Sequence, residues 1–328
     1  MSKTEIGMRN VVERPSTALL VAAFAAVYVV WGSTYLAIKF AIETLPPFLM
    51  AGARFLIAGF ILYVWARARG AERPSWLHWR TSLIVGALLL LIGNGGVVTA
   101  EHYIASGLAA LLVATEPLWV VLLNWARPGG ARPTGKVMLG LLTGFAGVWL
   151  LVGGTGMLNT DQGYATLFGA VLVIVAALSW AGGSLYSLHA PVPRSPLLAS
   201  GMQMLAGGAL LLVAGTVTNE WTRFDLSDAT PRSILAFLYL VVFGSIVGFT
   251  AYSWLLRVTT PARASTYAYV NPVVAVLLGW WLANEPLQAR TLLAAAVIVF
   301  SVALITSHGK QKEAGADEKD ERLAQNLC

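Results

Sequence analysis

The chain has 328 residues, of which 57% are hydrophobic and only 12% are charged. A soluble globular protein carries roughly 25% charged residues, so this composition excludes an ordinary soluble domain and indicates an integral membrane protein. In a membrane protein the formal net charge of +6 marks cytoplasmic loops, so it requires no nucleic-acid partner. The single cysteine, Cys328, excludes a disulfide framework.

Ten apolar segments are long enough to cross a bilayer, which takes about 20 helical residues. In chain order they are 17–38, 46–66, 81–100, 105–125, 135–154, 164–186, 196–217, 232–256, 262–282 and 289–307. We therefore expect an all-α integral membrane protein with ten transmembrane helices. Residues 1–16 are predicted to form a cytoplasmic N-terminal segment, and 308–328 a charged cytoplasmic tail.

The distribution of basic residues predicts the orientation of these helices. If the N-terminus lies inside, only five of the 22 Lys and Arg residues fall outside the inner segments, namely Lys39, Arg54, Arg223, Arg232 and Arg290. Cytoplasmic loops are enriched in basic residues, so both termini are predicted to be cytoplasmic.

The second half of the chain repeats features of the first. "PFLMAGARFLIAG" (47–59) is matched by "PLLASGMQMLAGG" (196–208), and "EPLWVVLL" (116–123) by "NPVVAVLL" (271–278). We expect two repeats, 17–154 and 164–307, each with five helices. An odd number of helices places the two repeats in inverted orientations, an arrangement typical of transporters that bind substrate near the bilayer midplane.

Glu116 and its counterpart in the second repeat, Asn271, are each followed by proline. Glu116 lies about 14 Å into a hydrocarbon core roughly 30 Å thick. Each proline removes a helical N–H and frees the carbonyl four residues earlier, in Val113 and Ala268. Such groups are tolerated only inside protein or beside a wet cavity. Two interpretations of Glu116 remain open: a carboxyl that is reversibly protonated during function, or a neutral group that seals the helix break.

Several longer motifs resemble one family. "WGSTYLAIKFAIETLPPFLMAGARFLIAG" (31–59), "GNGGVVTAEHYIASGLAALLVATEPL" (93–118) and "TYAYVNPVVAVLLG" (266–279), with "NEPL" (284–287), are similar to EamA-type transporters of the drug/metabolite transporter superfamily. Within this superfamily the motifs resemble the YedA-type inner-membrane exporter branch. The resemblance implies two inverted five-helix repeats around a cavity lined by helices 1, 3, 4, 6, 8 and 9. Asn284 departs from the family, which often has Gly before Glu at this position, and we expect only an altered turn.

Polar and aromatic residues on these helices are the predicted substrate-binding residues: Glu116, Asn271, Tyr267, Trp31, Tyr35, Asn94, Trp180 and Tyr252. Glu116, Arg54, Glu101 and His102 are predicted to take part in coupling or gating. Arg54 either binds a substrate carboxylate or pairs structurally with Glu101 or Glu116, and simple solvation is the alternative for Glu101 and His102. Lys39 and Glu43, spaced i, i+4, are expected to pair with each other.

The residues favour a secondary exporter of small amphipathic molecules, such as amino acids, related metabolites or drugs. An exchanger of organic anions, phosphorylated metabolites or nucleotide sugars is the alternative within transport, and a non-transporting membrane protein or intramembrane enzyme is the alternative outside it. No P-loop, zinc spacing or nucleophile elbow occurs in the sequence, so no enzyme activity, metal or cofactor is expected. The predicted partners are a small-molecule substrate and the lipid bilayer, for a monomer or homodimer.

Overall fold

The computed structural model describes residues 16–127, 132–152, 161–259, 267–301 and 303–304, and every regular element within these ranges is helical. We number the helices in chain order. They are α1 Thr17–Ala41, α2 Pro47–Ala68, α3 Trp76–Ala100, α4 Ser106–Ala126, α5 Gly135–Val152, α6 Asp161–Ser187, α7 Pro196–Val217, α8 Pro231–Tyr239 continued by Leu240–Val247 and Gly248–Val258, α9 Tyr267–Ala283 and α10 Ala289–Ser301, with two short 3-10 turns, Glu220–Arg223 and Leu226–Asp228, between α7 and α8.

Seven of these helices, α1 to α4 and α6 to α8, are long and apolar enough to cross a membrane. In their described parts α5, α9 and α10 are shorter apolar helices. The all-helical membrane fold is therefore confirmed, whereas the count of ten spanning helices remains a prediction. The predicted terminal segments, apart from Ser16, lie outside the described residues.

Local sequence signals explain where the helices begin. Proline occupies the first turn of α2, α7 and α8, where its missing N–H costs no helical hydrogen bond. Ser75 caps α3 by accepting a hydrogen bond from His78 N at 3.3 Å, and the His78 ring accepts one from Ser75 N in return. This reciprocal cap starts α3 at Trp76, five residues before the predicted start at 81.

The helices pack in pairs that cross between the two halves of the chain. α2 packs along α7, α1 packs on α8 and α9, α6 packs on α3 and α4, and α4 packs on α9. Helix α10 contacts α5, where Ser301 Oγ donates to the Gly140 carbonyl oxygen at 2.7 Å. The two halves thus form a single bundle with a shared interior.

The contact between α2 and α7 depends on glycine. A Cβ atom added to Gly59 would lie 2.8 Å from the Leu205 nitrogen and 2.9 Å from the Gly201 carbonyl oxygen. A Cβ on Gly201 would lie 2.8 Å from the Tyr63 nitrogen. Small residues therefore allow the two backbones to approach at the centre of the bundle, as in other membrane helix pairs.

Three helices change to π geometry in their middle, at Ala26–Trp31 in α1, Ala87–Asn94 in α3 and Leu240–Val247 in α8. Segments of this type are rare and are often found at functional sites. No pattern in the sequence predicted them. They place Trp31 and Asn94 at the ends of π segments, where both residues face a cavity inside the bundle.

The two prolines near mid-bundle have different effects. Helix α4 is interrupted: its first part ends at Val113, and its second part begins at Glu116. Helix α9 continues through Pro272 without a break. The interruption predicted for both repeats thus occurs in the first, and the described part of α9 remains helical.

The outer surface of the bundle is apolar. Exposed side chains include Phe60 at 62%, Trp149 at 69% and Trp281 at 71% of their full accessibility. In water such large exposed groups would be unfavourable, but against lipid chains they are not. This surface agrees with the membrane location indicated by the composition.

Candidate functional site

A cavity lies inside the bundle where the break in α4 faces α1, α3 and α9. The space open to the centre of a water molecule measures about 110 Å³. Seven of the eight predicted substrate-binding residues line the cavity, together with Arg54; they are Trp31, Tyr35, Asn94, Glu116, Trp180, Tyr267 and Asn271. Thr34, Ile38 and Phe249 also line it and were not anticipated, because apolar and hydroxyl side chains are unremarkable in a membrane helix.

Glu116 opens the second part of α4, with Thr115 as the preceding cap residue. The Thr115 hydroxyl donates to the Leu112 carbonyl oxygen at 2.6 Å and accepts from Trp119 Nε1 at 3.2 Å, so it links the two parts of the helix. A helix N-terminus carries partial positive charge that favours a carboxylate. The break thus places the ionisable side chain of Glu116 at the cavity.

Asn271 is 5% exposed and connects α9 to the π segment of α1. With its amide nitrogen as donor, the distances are 3.2 Å to the Tyr267 carbonyl oxygen and 3.1 Å to the Tyr28 carbonyl oxygen. A buried amide is stable only when its polar atoms are paired, and these contacts provide that pairing. Asn271 therefore holds α9 against α1 at the edge of the cavity.

Aromatic rings form one wall of the cavity around Trp31. The Trp31 ring centroid lies 5.0 Å from Tyr252 and 5.1 Å from Tyr267, and the Trp31 Nε1 donates to the Gly244 carbonyl oxygen at 3.2 Å. Tyr252 does not line the cavity itself but packs behind this wall, where its hydroxyl is hydrogen-bonded to Tyr267. Such rings suit a ligand with an apolar body.

Arg54 does not pair with Glu101 or Glu116. Among the described residues no carboxylate oxygen lies within 4.0 Å of its guanidinium. Instead, Arg54 Nε donates to the Ser245 hydroxyl in α8 at 2.8 Å. The prediction of a structural ion pair was therefore wrong, because Arg54 contacts Ser245 in α8 and neither Glu101, in the turn after α3, nor Glu116 in α4.

Lys39 and Glu43 also differ from the prediction. Lys39 Nζ donates to the carbonyl oxygens of Glu101 and Ile104 at 3.1 and 3.2 Å, across the turn between α3 and α4. Glu43 instead forms an ion pair with Arg232 at 3.4 Å. The expected i, i+4 pair is absent because each side chain finds a partner on a neighbouring element.

Glu101 and His102 lie in the turn between α3 and α4 and do not line the cavity. Glu101 is only 1% exposed, and neither carboxyl oxygen has a hydrogen-bond partner among the described residues. Burial raises the pKa of Glu101, Lys39 opposes this shift and Glu285 adds to it. Simple solvation therefore does not describe Glu101, whereas His102 is exposed.

Glu285 is a structural residue that the sequence analysis did not single out. Its two carboxyl oxygens accept hydrogen bonds from Ser106 N at 2.8 Å and Gly107 N at 3.2 Å, at the start of α4. It therefore joins the second half of the chain to the first. The preceding Asn284 has φ 53°, a left-handed conformation in which asparagine is one of the few tolerated residues besides glycine.

The described residues contain no group of three His, Cys, Asp or Glu side chains that would hold a metal ion. The cavity combines one carboxyl, one guanidinium, two amides and several aromatic rings. This arrangement can bind a small molecule that has both polar and apolar parts.

Comparison with known proteins assigns the chain to a family. Residues 17–153 and 167–307 match the EamA-like transporter family. The chain is 40% identical over 289 residues to YedA of Escherichia coli K12, described as an uncharacterized inner membrane transporter, covering 88% of this chain and 90% of YedA. It is 27% identical over 311 residues to YvbV of Bacillus subtilis 168, described as an uncharacterized transporter, covering 94% of this chain and 97% of YvbV.

One crystal structure of another protein has a similar fold, with a TM-score of 0.61 and 21% sequence identity. The match covers 89% of this chain and 99% of the other. At this identity the similarity concerns the fold alone.

Proposed function

Because this chain belongs to the EamA-like transporter family, we propose that it is a secondary exporter of small amphipathic metabolites, such as amino acids, related compounds or drugs, in the inner membrane. The observation that supports this best is the cavity at the break in α4, where Glu116 and Asn271 meet a wall of aromatic rings. A site with polar groups on one side and rings on the other suits a substrate with both characters.

Alternating access would come from two inverted repeats that rock around this cavity. The packing supports this arrangement. A two-fold axis between the repeats would exchange α1 with α6, α2 with α7, α3 with α8 and α4 with α9. Under this exchange the packed pair α1–α8 corresponds to the packed pair α6–α3, and the pairs α2–α7 and α4–α9 are each unchanged. Such interchange is what a two-fold axis between the halves requires. With ten spans both termini would lie on the same side, which the basic residues predict to be the cytoplasm.

The exchanger of phosphorylated metabolites or nucleotide sugars is less well supported. A doubly charged phosphate needs several cationic groups around it. Among the described residues that line the cavity, Arg54 is the only Lys or Arg. We therefore favour a substrate with at most one negative charge.

We further propose that Glu116 binds and releases a proton during transport. The hydroxyls of Tyr252 and Tyr267 lie within electrostatic range of its carboxyl, which is attached at the start of the second part of α4. No permanent cation contacts it within 4.0 Å among the described residues, so its charge is not held by an ion pair. A carboxyl in this setting can change protonation state as the cavity changes its access to water.

Glu116→Gln tests this role, because it keeps the size of the side chain and removes its titration. In proteoliposomes, we expect the variant to lose the pH dependence of export between about pH 6 and pH 8 while it still binds substrate. Glu43→Gln is the matched control, since Glu43 forms only an exposed ion pair with Arg232. Identical rates and pH profiles for Glu116→Gln and the unmodified protein would rule out proton coupling through Glu116.

A further inference from the structure

Arg54 occupies an unusual position for a charged residue. It lies in the middle of α2, is 3% exposed, and lines the central cavity. Its Nε donates to Ser245 at 2.8 Å, and the guanidinium carbon lies 4.7 Å from the Phe55 ring centroid. These two contacts fix the orientation of the guanidinium, but no described residue provides a counter-ion within 4.0 Å.

One nitrogen of the guanidinium, Nη1, is not satisfied by the described residues. Arg54 Nη1 is buried and has no hydrogen-bond partner among the described residues, and no carboxylate lies within 4.0 Å. A buried cation without a counter-ion is one of the least favourable arrangements inside a membrane. A role in stability alone would not explain it, because an uncharged side chain in contact with Ser245 would avoid this cost.

The cavity also holds an unpaired acceptor. Asn94 Oδ1 in α3 is buried and lacks a hydrogen-bond donor among the described residues, and Asn94 lines the same cavity as Arg54. Unpaired buried groups that share a cavity are typical of a site that is completed by its ligand. Here the missing groups are one anionic acceptor and one N–H or O–H donor.

We propose that Arg54 is the binding residue for a single carboxylate on the transported molecule, and that Asn94 accepts a hydrogen bond from the same molecule. This inference rests on the proposed transport function and narrows its substrate class to monocarboxylates with a donor group. Because Ser245 occupies Arg54 Nε, Nη1 offers a limited contact that matches one carboxylate. When Glu116 is protonated, one negative charge on the substrate balances Arg54, the only Lys or Arg among the described residues that line the cavity.

The test compares carboxylic acids with their own amides, which have nearly the same shape but no negative charge. The probe pairs are leucine and leucinamide, phenylalanine and phenylalaninamide, and benzoate and benzamide. Binding is measured as ligand-dependent thermal stability of the purified full-length protein, with titration to an apparent Kd. In the unmodified protein we expect at least one acid to bind about tenfold to a hundredfold more tightly than its amide.

Arg54→Gln, which copies Gln203 from the other half, should abolish this preference and leave the affinity for the amide within about twofold. Arg54→Lys is the second variant, for use where Arg54→Gln does not fold. It should lower the preference about tenfold, since an ammonium group cannot contact Ser245 and a carboxylate in the same geometry. Arg232→Gln removes a cation from an exposed ion pair and should change nothing.

Equal binding of every acid and its amide by the unmodified protein would overturn the proposal. A full acid preference that persists in Arg54→Gln or Arg54→Lys would also overturn it. Export measured in proteoliposomes separates this failure from failure of the proposed function. If amides are exported as fast as acids, the protein is a transporter but has no carboxylate site. If no probe is bound or exported, both the carboxylate site and this substrate class are wrong.

Discussion

At the scale of single residues, burial decides what a charged side chain can do. Glu101 and His102 are neighbours in the same turn, yet Glu101 is 1% exposed and His102 is exposed. Lys39 lies close enough to interact electrostatically with both, but its Nζ donates to backbone carbonyl oxygens and not to the Glu101 carboxyl. Glu101 is therefore a buried acid that lacks a direct ionic partner among the described residues.

This burial predicts how stability depends on pH. Folding raises the pKa of Glu101, so the folded protein holds this proton more tightly than the unfolded chain. Its contribution to stability is complete below the ordinary glutamate pKa and is lost as pH rises toward the folded value. The pKa of His102 is lowered, chiefly because neighbouring protein atoms partly desolvate its ring although the residue is exposed, and then by Lys39. His102 therefore affects stability in the opposite direction.

Glu101→Gln isolates the contribution of Glu101, because His102 is present in both proteins. As pH rises from about 5 to about 8, the melting temperature of the unmodified protein should fall relative to that of Glu101→Gln. The measurement is a series of thermal unfolding curves in one detergent at constant ionic strength. A constant difference between the two proteins across this range would show that Glu101 does not titrate there.

At the scale of helices, the packing of α2 on α7 depends on the absence of side chains. Gly59 and Gly201 place backbone against backbone, and the atoms that an added Cβ would meet belong largely to the main chain. Main-chain atoms in a helix cannot move aside as the end of a flexible side chain can. The close approach of the two helices therefore leaves no room for a side chain at these two positions.

Gly59→Ala should accordingly destabilise the protein by about 1–3 kcal/mol and lower its folding yield, because the helices must separate. Gly182→Ala in α6 is the matched control. An added Cβ there would meet only Leu123 Cδ1 at 3.9 Å, an ordinary contact, and alanine favours helix by up to about 1 kcal/mol. Thermal stability in detergent compares the two variants. Equal effects would contradict the close packing of α2 on α7.

At the scale of the whole molecule, the orientation of the helices in the membrane is a prediction that can be tested directly. The basic residues predict that the loop between α6 and α7 is cytoplasmic and that the segment between α7 and α8 is on the opposite side. Exposed positions in both segments lie within the described residues, at Val192 and Ser227. Each is suitable for replacement by cysteine.

Because Cys328 is the only cysteine, Cys328→Ser provides a background without thiols. In intact cells, Ser227→Cys in this background should react with a membrane-impermeant maleimide, and Val192→Cys should react only after the cells are opened. The cysteine-free protein controls for non-specific labelling. The reverse pattern would contradict both the predicted orientation and the cytoplasmic location of the termini.

The sequence alone determined the helical membrane fold, the approximate position of most helices and most of the polar and aromatic residues that line the cavity. Hydropathy is a local property, and the thickness of the bilayer sets how long an apolar segment must be to form a spanning helix. The polar residues of the cavity could also be predicted from the sequence, because polar groups at mid-depth in a membrane must face protein or water.

Only the tertiary structure decided which partner each polar group contacts. Arg54 and Ser245 are 191 positions apart, and their contact depends on how α2 and α8 rotate and cross, which hydropathy does not encode. The same holds for Glu285 at the start of α4 and for the burial of Glu101. Proline interrupts α4 but not α9. Contacts with neighbouring helices, such as that of Asn271 with α1, influence whether a turn weakened by proline remains helical.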